Sequence, residues 1–406
     1  MYRLLLIALI AALSFVSISA QEVEDTIKIK TRVVFLDALV KDKKTNLPIS
    51  NLTPQNFAVL DDGKPRDISY FTREGQARKP LALVVILDLR EDGAGRFLKR
   101  PEILKAMEDE LAKLPPGDEV ALLVLDLFED NERLWLTDFT NDRAKLAAAL
   151  ARVPALCGPN DGTPIERTTT QNTSDKSEGK PEDIIQTETI RGRNGATVTR
   201  ETRRDGSVNV KRTNKDGKVT VEMNDLYDLS AAVQDANRRA QELRPNSQVS
   251  LVWISDGIAP IFFEDRDATE QILIRNNVIF NSLTVEMRTL YKFLMPFAKP
   301  IAGWIGMSLY GSAKHLAQRS GGEAVKVGKA KDYGTGLSKI IGNLTARYSL
   351  GFALAESEID DGRLHALEVR VKAKDEKGKN RKLQVSSRQG YYMSSTLPKE
   401  AAVKAQ

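Results

Sequence analysis

The chain predicts an α/β fold: a doubly wound sheet inserted in a β-sandwich that the N- and C-terminal strands build together, with a β-hairpin insert inside the α/β unit. Three observations predict it. Strand-like patterning occupies residues 26–71 and returns after residue 348. Between these ends, short apolar runs alternate with amphipathic stretches, as a parallel sheet with crossover helices requires. A further segment, 158–222, carries turn pairs at a fixed period.

The N-terminus reads as a signal peptide over 1–20, with Arg3, an apolar run from Leu4 to Val16 broken only by Ser14, and small residues at Ser17, Ser19 and Ala20. That run is shorter than the roughly 20 residues a spanning helix needs. Cleavage near Ala20 and a secreted or periplasmic, cell-envelope location are therefore expected. The remaining chain exceeds one ordinary domain. It divides into an N-terminal β segment (21–79), an α/β domain (80–330, with 158–222 as its insert), a C-terminal β segment (331–396) and a tail (397–406).

In order, Ile27 to Val40 is rich in β-branched residues, Phe57 to Leu60 is a second strand, and Asp62-Gly63 marks a hairpin turn before Ile68, Tyr70 and Phe71. Leu81 to Leu87 is a fully apolar strand. A helix follows near Pro101 to Leu114, then strands at Val120 to Leu127 and Leu134 to Phe139, the second antiparallel by its hairpin distance. Ala144 to Ala151 and Leu226 to Leu243 are helical, Ser250 to Ile254 and Val278 to Val285 are strands, and Ala313 to Arg319 is a helix closed by Gly321-Gly322. Glu323 to Val327 is the last strand of the unit. The C-terminal strands are Tyr348 to Leu354, Leu364 to Lys372 and Lys382 to Ser387.

Composition excludes more than it suggests. With 60 Lys and Arg against 55 Asp and Glu, the net charge of +5 does not indicate nucleic acid. Cys157 is the only cysteine, so no intrachain disulfide forms and stability rests on burial. His315 and His365 are the only histidines; zinc sites of the usual Cys and His type cannot be assembled, and both residues read as structural. A Ser-His-Asp or Cys-His centre is equally hard to put together.

Ligands of doubly wound sheets bind beyond the C-terminal ends of the strands. Asp88 closes the strand Leu81 to Leu87, and Asp256 closes the strand Leu251 to Ser255 within Trp253-Ile254-Ser255-Asp256-Gly257. With the order of elements, these residues resemble a von Willebrand factor A domain over 80–330. The flanks add Asn51-Leu52-Thr53-Pro54-Gln55-Asn56-Phe57, the Asp61-Asp62-Gly63 turn, Ser320-Gly321-Gly322, Arg347-Tyr348-Ser349-Leu350-Gly351-Phe352 and Gly390-Tyr391-Tyr392. Together they resemble the acidobacterial-type family of secreted proteins with a von Willebrand factor A-related domain.

The resemblance implies a metal-ion-dependent adhesion site, in which Asp-x-Ser-x-Ser, a distant Thr and a distant Asp hold Mg²⁺ and a partner's carboxylate completes the shell. Here the first motif reads Asp88-Leu89-Arg90-Glu91-Asp92. Both serines are missing, and the Arg90 guanidinium cannot ligate a cation. The distant Thr is either Thr163 or, in the register of Leu226-Tyr227-Asp228, Asn224. A degenerate site follows, with Asp88, Arg90, Asp92, Asn224 and Asp256 as its binding residues and no confident metal ligand; Asp88 and Asp256 would hold Mg²⁺ if a cation bound. Arg90 either pairs with Asp88 or Asp256 in place of the cation or points into water.

The insert has no aromatic residue. Asn194-Gly195, Asp205-Gly206 and Asp216-Gly217 recur every eleven residues with Val198, Val208, Val210, Val219 and Val221 between them, which predicts a β-meander arm. Its Arg, Lys and Thr suit an acidic protein or an anionic glycan; lacking aromatics, it does not suit nucleic acid. The segment 287–313 is apolar beyond an ordinary loop, and it either covers the sheet or meets a partner or membrane surface. The function expected is a secreted protein-interaction or scaffolding module with a protein partner. The alternatives are an Mg²⁺-dependent adhesion domain and, least favoured, a hydrolase on Asp88, Asp92 and Asp256, for which no nucleophile is supplied.

Overall fold

Leu81–Asp88 is apolar at every position but its last, and every residue in it is buried, so both faces of this strand must be covered. That requirement sets the architecture of the central unit. The structure, a computed structural model, describes residues 32–73, 79–89, 94–125, 133–157, 184–191, 197–203, 208–224, 229–285, 300, 302–304, 306–358, 360–375 and 377–393. The segment 1–20 read as a signal peptide, Arg90, Asp92, Thr163, residues 286–299 and the tail 397–406 lie outside them.

The described residues begin with β1 (Arg32–Asp42), β2 (Phe57–Asp61), β3 (Lys64–Arg66) and β4 (Tyr70–Thr72). The central unit follows as β5 (Leu81–Asp88), α1 (Gly95–Leu98), α2 (Pro101–Leu111), β6 (Glu119–Leu125), β7 (Leu134–Thr140) and α3 (Arg143–Ala151). The insert contributes β8 (Ile184–Arg191), β9 (Thr197–Arg203), β10 (Val208–Thr213) and β11 (Val219–Asn224). The unit then resumes with α4 (Leu229–Leu243), β12 (Gln248–Ser255), β13 (Ile258–Phe262), α5 (Phe263–Arg275), β14 (Ile279–Val285), β15 (Met307–Tyr310), α6 (Ser312–Ser320), β16 (Ala324–Val327) and α7 (Tyr333–Thr345). The last strands are β17 (Tyr348–Leu354), β18 (His365–Val371), β19 (Leu383–Ser387) and β20 (Gly390–Tyr391).

The six-stranded sheet runs β16-β14-β12-β5-β6-β7. Its pairs are parallel except β6 with β7. Counted in chain order from β7, this is the 3-2-1-4-5-6 order of doubly wound sheets, with the topological switch between β5 and β12. Leu81, Leu83, Val85 and Leu87 pack with α2, α3 and α7 in one cluster, and Ala82, Val84 and Ile86 pack with α4 and α6 in another. The sheet is therefore the middle of three layers. Local sequence accounts for the helices: Pro101 opens α2 and puts Ile103, Leu104, Met107 and Leu111 on its buried face. Asp142 caps α3 by accepting from the amides of Ala144 (3.0 Å) and Lys145 (3.2 Å).

Two helices depart from the sequence expectation. The first, α7, falls inside the segment read as C-terminal β, yet Tyr333, Leu337, Ile340 and Ile341 belong to the core of the parallel sheet. Its glycines hid it. A Cβ on Gly334 would sit 2.9 Å from that of Ala106, and one on Gly336 would collide with Leu283, so close approach to neighbours requires these residues. The second, α5, shows no apolar period because Glu264, Asp265, Thr269 and Glu270 are buried alongside Leu273 and Ile274.

The strands of the two chain ends pair with each other, β1 with β17 and β19, and β18 with β2 and β20. They form two four-stranded sheets, β19-β1-β17-β4 and β20-β18-β2-β3, that share one core of Leu36, Val59, Tyr348, Phe352, Leu367 and their neighbours. Tyr348 closes this core chemically: its hydroxyl donates to the Ile49 carbonyl at 2.6 Å and accepts from the Leu52 amide at 3.0 Å. Buried guanidiniums tie these strands to the central unit. Arg347 donates to the Gly321 carbonyl at 2.8 Å, and Arg388 donates to the carbonyls of Ile274 and Phe35.

In the insert, β8 to β11 form an antiparallel sheet in chain order. The Asp216-Gly217 turn is described: Gly217 has φ +79°, and the Asn214 carboxamide accepts from the amides of Asp216 and Lys218 at 3.0 and 2.9 Å. The turns at Asn194-Gly195 and Asp205-Gly206 lie outside the described residues. A strand precedes the repeat, β8, and both it and β9 contact α5. Of the apolar 287–313 segment, β15 pairs antiparallel with β13, Ala302 and Met307 are buried, and Trp304 is 88% exposed. Among the described residues, no helix is long and apolar enough to cross a membrane.

Candidate functional site at the sheet switch

Because Leu87 faces Ile254 across β5 and β12, Asp88 and Ser255 end neighbouring parallel strands side by side, at the switch point. Asp88 and Ser255 are fully buried and Asp256 is 5% exposed. The Ser255 hydroxyl donates to Asp88 Oδ2 at 2.5 Å and lies 3.4 Å from Asp256 Oδ1. It accepts from the Gly257 amide at 3.2 Å, while the Ser255 carbonyl accepts from the Tyr333 hydroxyl at 3.0 Å. Gly257 has φ +89°, a conformation side chains resist, and it turns the chain away from the sheet directly after Asp256.

A hydroxyl carries one proton, so Ser255 serves one of the two carboxylates that converge on it. Two such groups in a buried place raise a local negative potential that favours a cation or further donors. Mg²⁺ asks for near-octahedral oxygen ligation. The described side chains here supply two carboxylates and one hydroxyl, and the carboxylate of Asp88 already takes that hydroxyl's proton. An octahedral shell would need further oxygen ligands beyond these three side chains.

Of the residues selected from sequence, Asp88 and Asp256 are thus brought together. Arg90 and Asp92 lie outside the described residues, and Asn224 is described as the end of β11 by its backbone alone. Sequence reasoning missed the bridging role of Ser255, although it stands inside the motif that drew attention to Asp256, and it missed the Tyr333 hydroxyl, which reaches in from a helix that was not anticipated. Lys99, directly after α1, is buried as well.

His315, read as structural, joins α6 to α5. Its Nε2 lies 2.7 Å from Glu270 Oε2, and Arg319 Nε donates to Glu270 Oε1 at 2.7 Å. Burial alone would raise the Glu270 pKa, but the bonds from His315 and Arg319 outweigh it and hold the carboxyl below its ordinary value of 4.5. A depressed folded-state pKa contributes stability above the unfolded value, lost as pH falls through the folded one. Glu270→Gln is accordingly expected to cost about 2 kcal/mol at neutral pH and to flatten the loss of stability below about pH 4.5, as measured by urea denaturation across pH. An acid limb unchanged by the substitution would contradict this assignment.

No protein-family model matches the chain. No curated protein matches it either. Among solved structures it is similar to the SpRpn10 VWA domain, at 8% identity and a TM-score of 0.32 over 65% of this chain and 94% of that one. It is also similar to proximal thread matrix protein 1 from the mussel byssus, at 10% identity and a TM-score of 0.35 over 71% of this chain and 51% of that one. A third is the vWF domain of the type V pili tip protein Mfa5 from Porphyromonas gingivalis, at 15% identity and a TM-score of 0.23 over 46% of this chain and 40% of that one.

Proposed function

We propose that this chain is a secreted interaction or scaffolding module: a von Willebrand factor A-like unit carried by a β-sandwich of its two chain ends, with a degenerate metal-ion-dependent adhesion site. The observation that carries the proposal is the pairing of Ser255 with Asp88 at the switch point. Asp88, at the edge where doubly wound sheets bind ligands, is held by the chain's own Ser255 hydroxyl. Ser255 is fully buried and its hydroxyl is engaged with Asp88, which supports a structural role for it. Binding rather than catalysis is the function such a surface supports, with a protein as partner and the basic insert suited to an acidic protein or anionic glycan.

In this proposal the Arg90 guanidinium pairs with Asp88 or Asp256 where an intact site would hold Mg²⁺, with Asp92 and Asn224 as further binding residues. Arg90→Ser then removes that counter-charge from buried carboxylates, and a loss of about 3 to 5 kcal/mol is expected. Added Mg²⁺ restores part of that stability in the variant, because serine returns an oxygen ligand. Thermal melting of both proteins with and without Mg²⁺ checks this; a variant as stable as the parent and indifferent to Mg²⁺ would remove Arg90 from the site.

A further inference from the structure

A second cluster of ligating side chains lies away from the switch point, where β2 meets β18. Asp61 ends β2, and Asp62-Gly63 makes the hairpin turn to β3 with both φ values positive, +48° and +80°. Leu367 pairs with Asp61, which brings His365, the first residue of β18, beside the two aspartates. The His365 ring is 3% exposed and stacks on Tyr391 at a centroid distance of 5.0 Å. Its Nδ1 lies 3.1 Å from Asp62 Oδ2 and 3.9 Å from Asp61 Oδ1, and its Nε2 lies 3.2 Å from Asp361 Oδ1.

Both ring nitrogens therefore face carboxylate oxygens, whereas a neutral imidazole has one N–H and one lone pair. In the neutral tautomer whose Nε2–H donates to Asp361, the Nδ1 lone pair is turned toward two carboxylates, a place where a cation fits. Asp61 and Glu358 pair with Arg66, and Asp62 and Asp361 pair with Arg363, so four carboxylates around the ring share two guanidiniums. The decisive atom is Asp61 Oδ1. Asp61 is 4% exposed; its Oδ2 accepts from Arg66 and from the Tyr391 hydroxyl, but Oδ1 is buried without a hydrogen-bond donor. An unmet buried carboxylate oxygen is costly, and this one is aimed at the histidine.

We infer that Asp61 Oδ1, Asp62 Oδ2 and His365 Nδ1 form a site for one divalent ion of the Zn²⁺ class, with Asp361 orienting the imidazole. The three ligand atoms lie within 4.8 Å of one another. Bonds of roughly 2.0–2.1 Å in a tetrahedral zinc site place ligands about 3.3 Å apart, between the 3.1 and 3.9 Å separations from Nδ1. One imidazole and two carboxylates suit zinc, and a carboxylate on the second ring nitrogen is the usual means of fixing such a histidine. Asp62 is exposed and opens the site to solvent; Arg363, whose side chain is 56% exposed, turns aside as the ion enters.

The test uses the full chain, freed of metal and titrated calorimetrically with ZnCl₂ alone, with Co²⁺ absorption as a report on coordination geometry. The expected result is one equivalent bound, a raised melting temperature and tetrahedral-type Co²⁺ bands. Asp62→Asn, at an exposed turn and with its fold checked by circular dichroism, is expected to weaken binding at least about tenfold, and Asp361→Asn by roughly 10- to 100-fold. His315→Gln, at the other carboxylate and histidine cluster, leaves binding unchanged. No stoichiometric binding to the intact chain, affinity unchanged in Asp62→Asn, or binding lost in His315→Gln would each overturn the site.

Discussion

Lys41→Ala is expected to lower the stability of the folded chain by about 3 to 5 kcal/mol, the cost of breaking a buried ion pair from one side. Lys41 on β1 pairs with Glu323, and their side chains are 3% and 9% exposed. The second carboxylate oxygen of Glu323 accepts from Asn343 on α7, and its amide donates to Asn281 Oδ1 at 2.9 Å. Removing the ammonium leaves a carboxylate buried where the first strand of the chain meets the edge of the parallel sheet. Replacing both partners by apolar residues, as in Lys41→Met with Glu323→Leu, should recover most of the loss, since a buried pair gains little over a well-packed apolar one. Urea denaturation of the single and double variants measures the difference. A single variant within about 1 kcal/mol of the parent would show that water reaches Glu323.

Gly322→Ala is expected to be comparably damaging, at about 3 kcal/mol or more, because the strain falls on backbone that cannot repack. A Cβ at this position would overlap the Phe280 carbonyl oxygen and lie 2.9 Å from Asn281 Oδ1. The neighbouring Gly321 has φ +83° and ends α6 in the left-handed conformation. The pair thus does two jobs, one conformational and one steric, at the approach of α6 and β16 to β14. Thermal melting of Gly322→Ala against Lys326→Ala, whose position on β16 is exposed, separates a local clash from a general sensitivity of the strand; equal melting temperatures would contradict the clash.

The parts of the fold legible in sequence are those whose burial is carried by apolar side chains. Leu81 to Leu87 and the run before Ser255 read as strands because both faces are covered, and α4 reads as a helix because Val233, Ala236 and Ala240 keep its period. Where burial is carried by other means, the pattern fails. Glycine permits the contacts of α7, and carboxylates occupy the inner face of α5. Arg347 and Arg388 look like surface charges in sequence, yet both are buried at 8% exposure, and desolvation pulls the Arg388 pKa down to about 10. The candidate site divides the same way. Asp88 and Asp256 are visible from their positions at strand ends, but the pairing of Asp88 with Ser255 depends on strand register, and the surroundings of His365 come from residues 303 and 304 positions earlier and from a turn just before it.

The proposed interaction surface is most directly tested by capture of partners from the medium and envelope of the exporting cell, with the intact chain as bait. Capture is compared in buffer freed of Mg²⁺ and in millimolar Mg²⁺, holding Zn²⁺ constant so that the His365 site does not vary. Metal-independent binding predicts the same partners at the same yield in both buffers, with capture reduced in a chain lacking 158–222. Partners retained only when Mg²⁺ is present would contradict the account and make the switch-point carboxylates a working metal site.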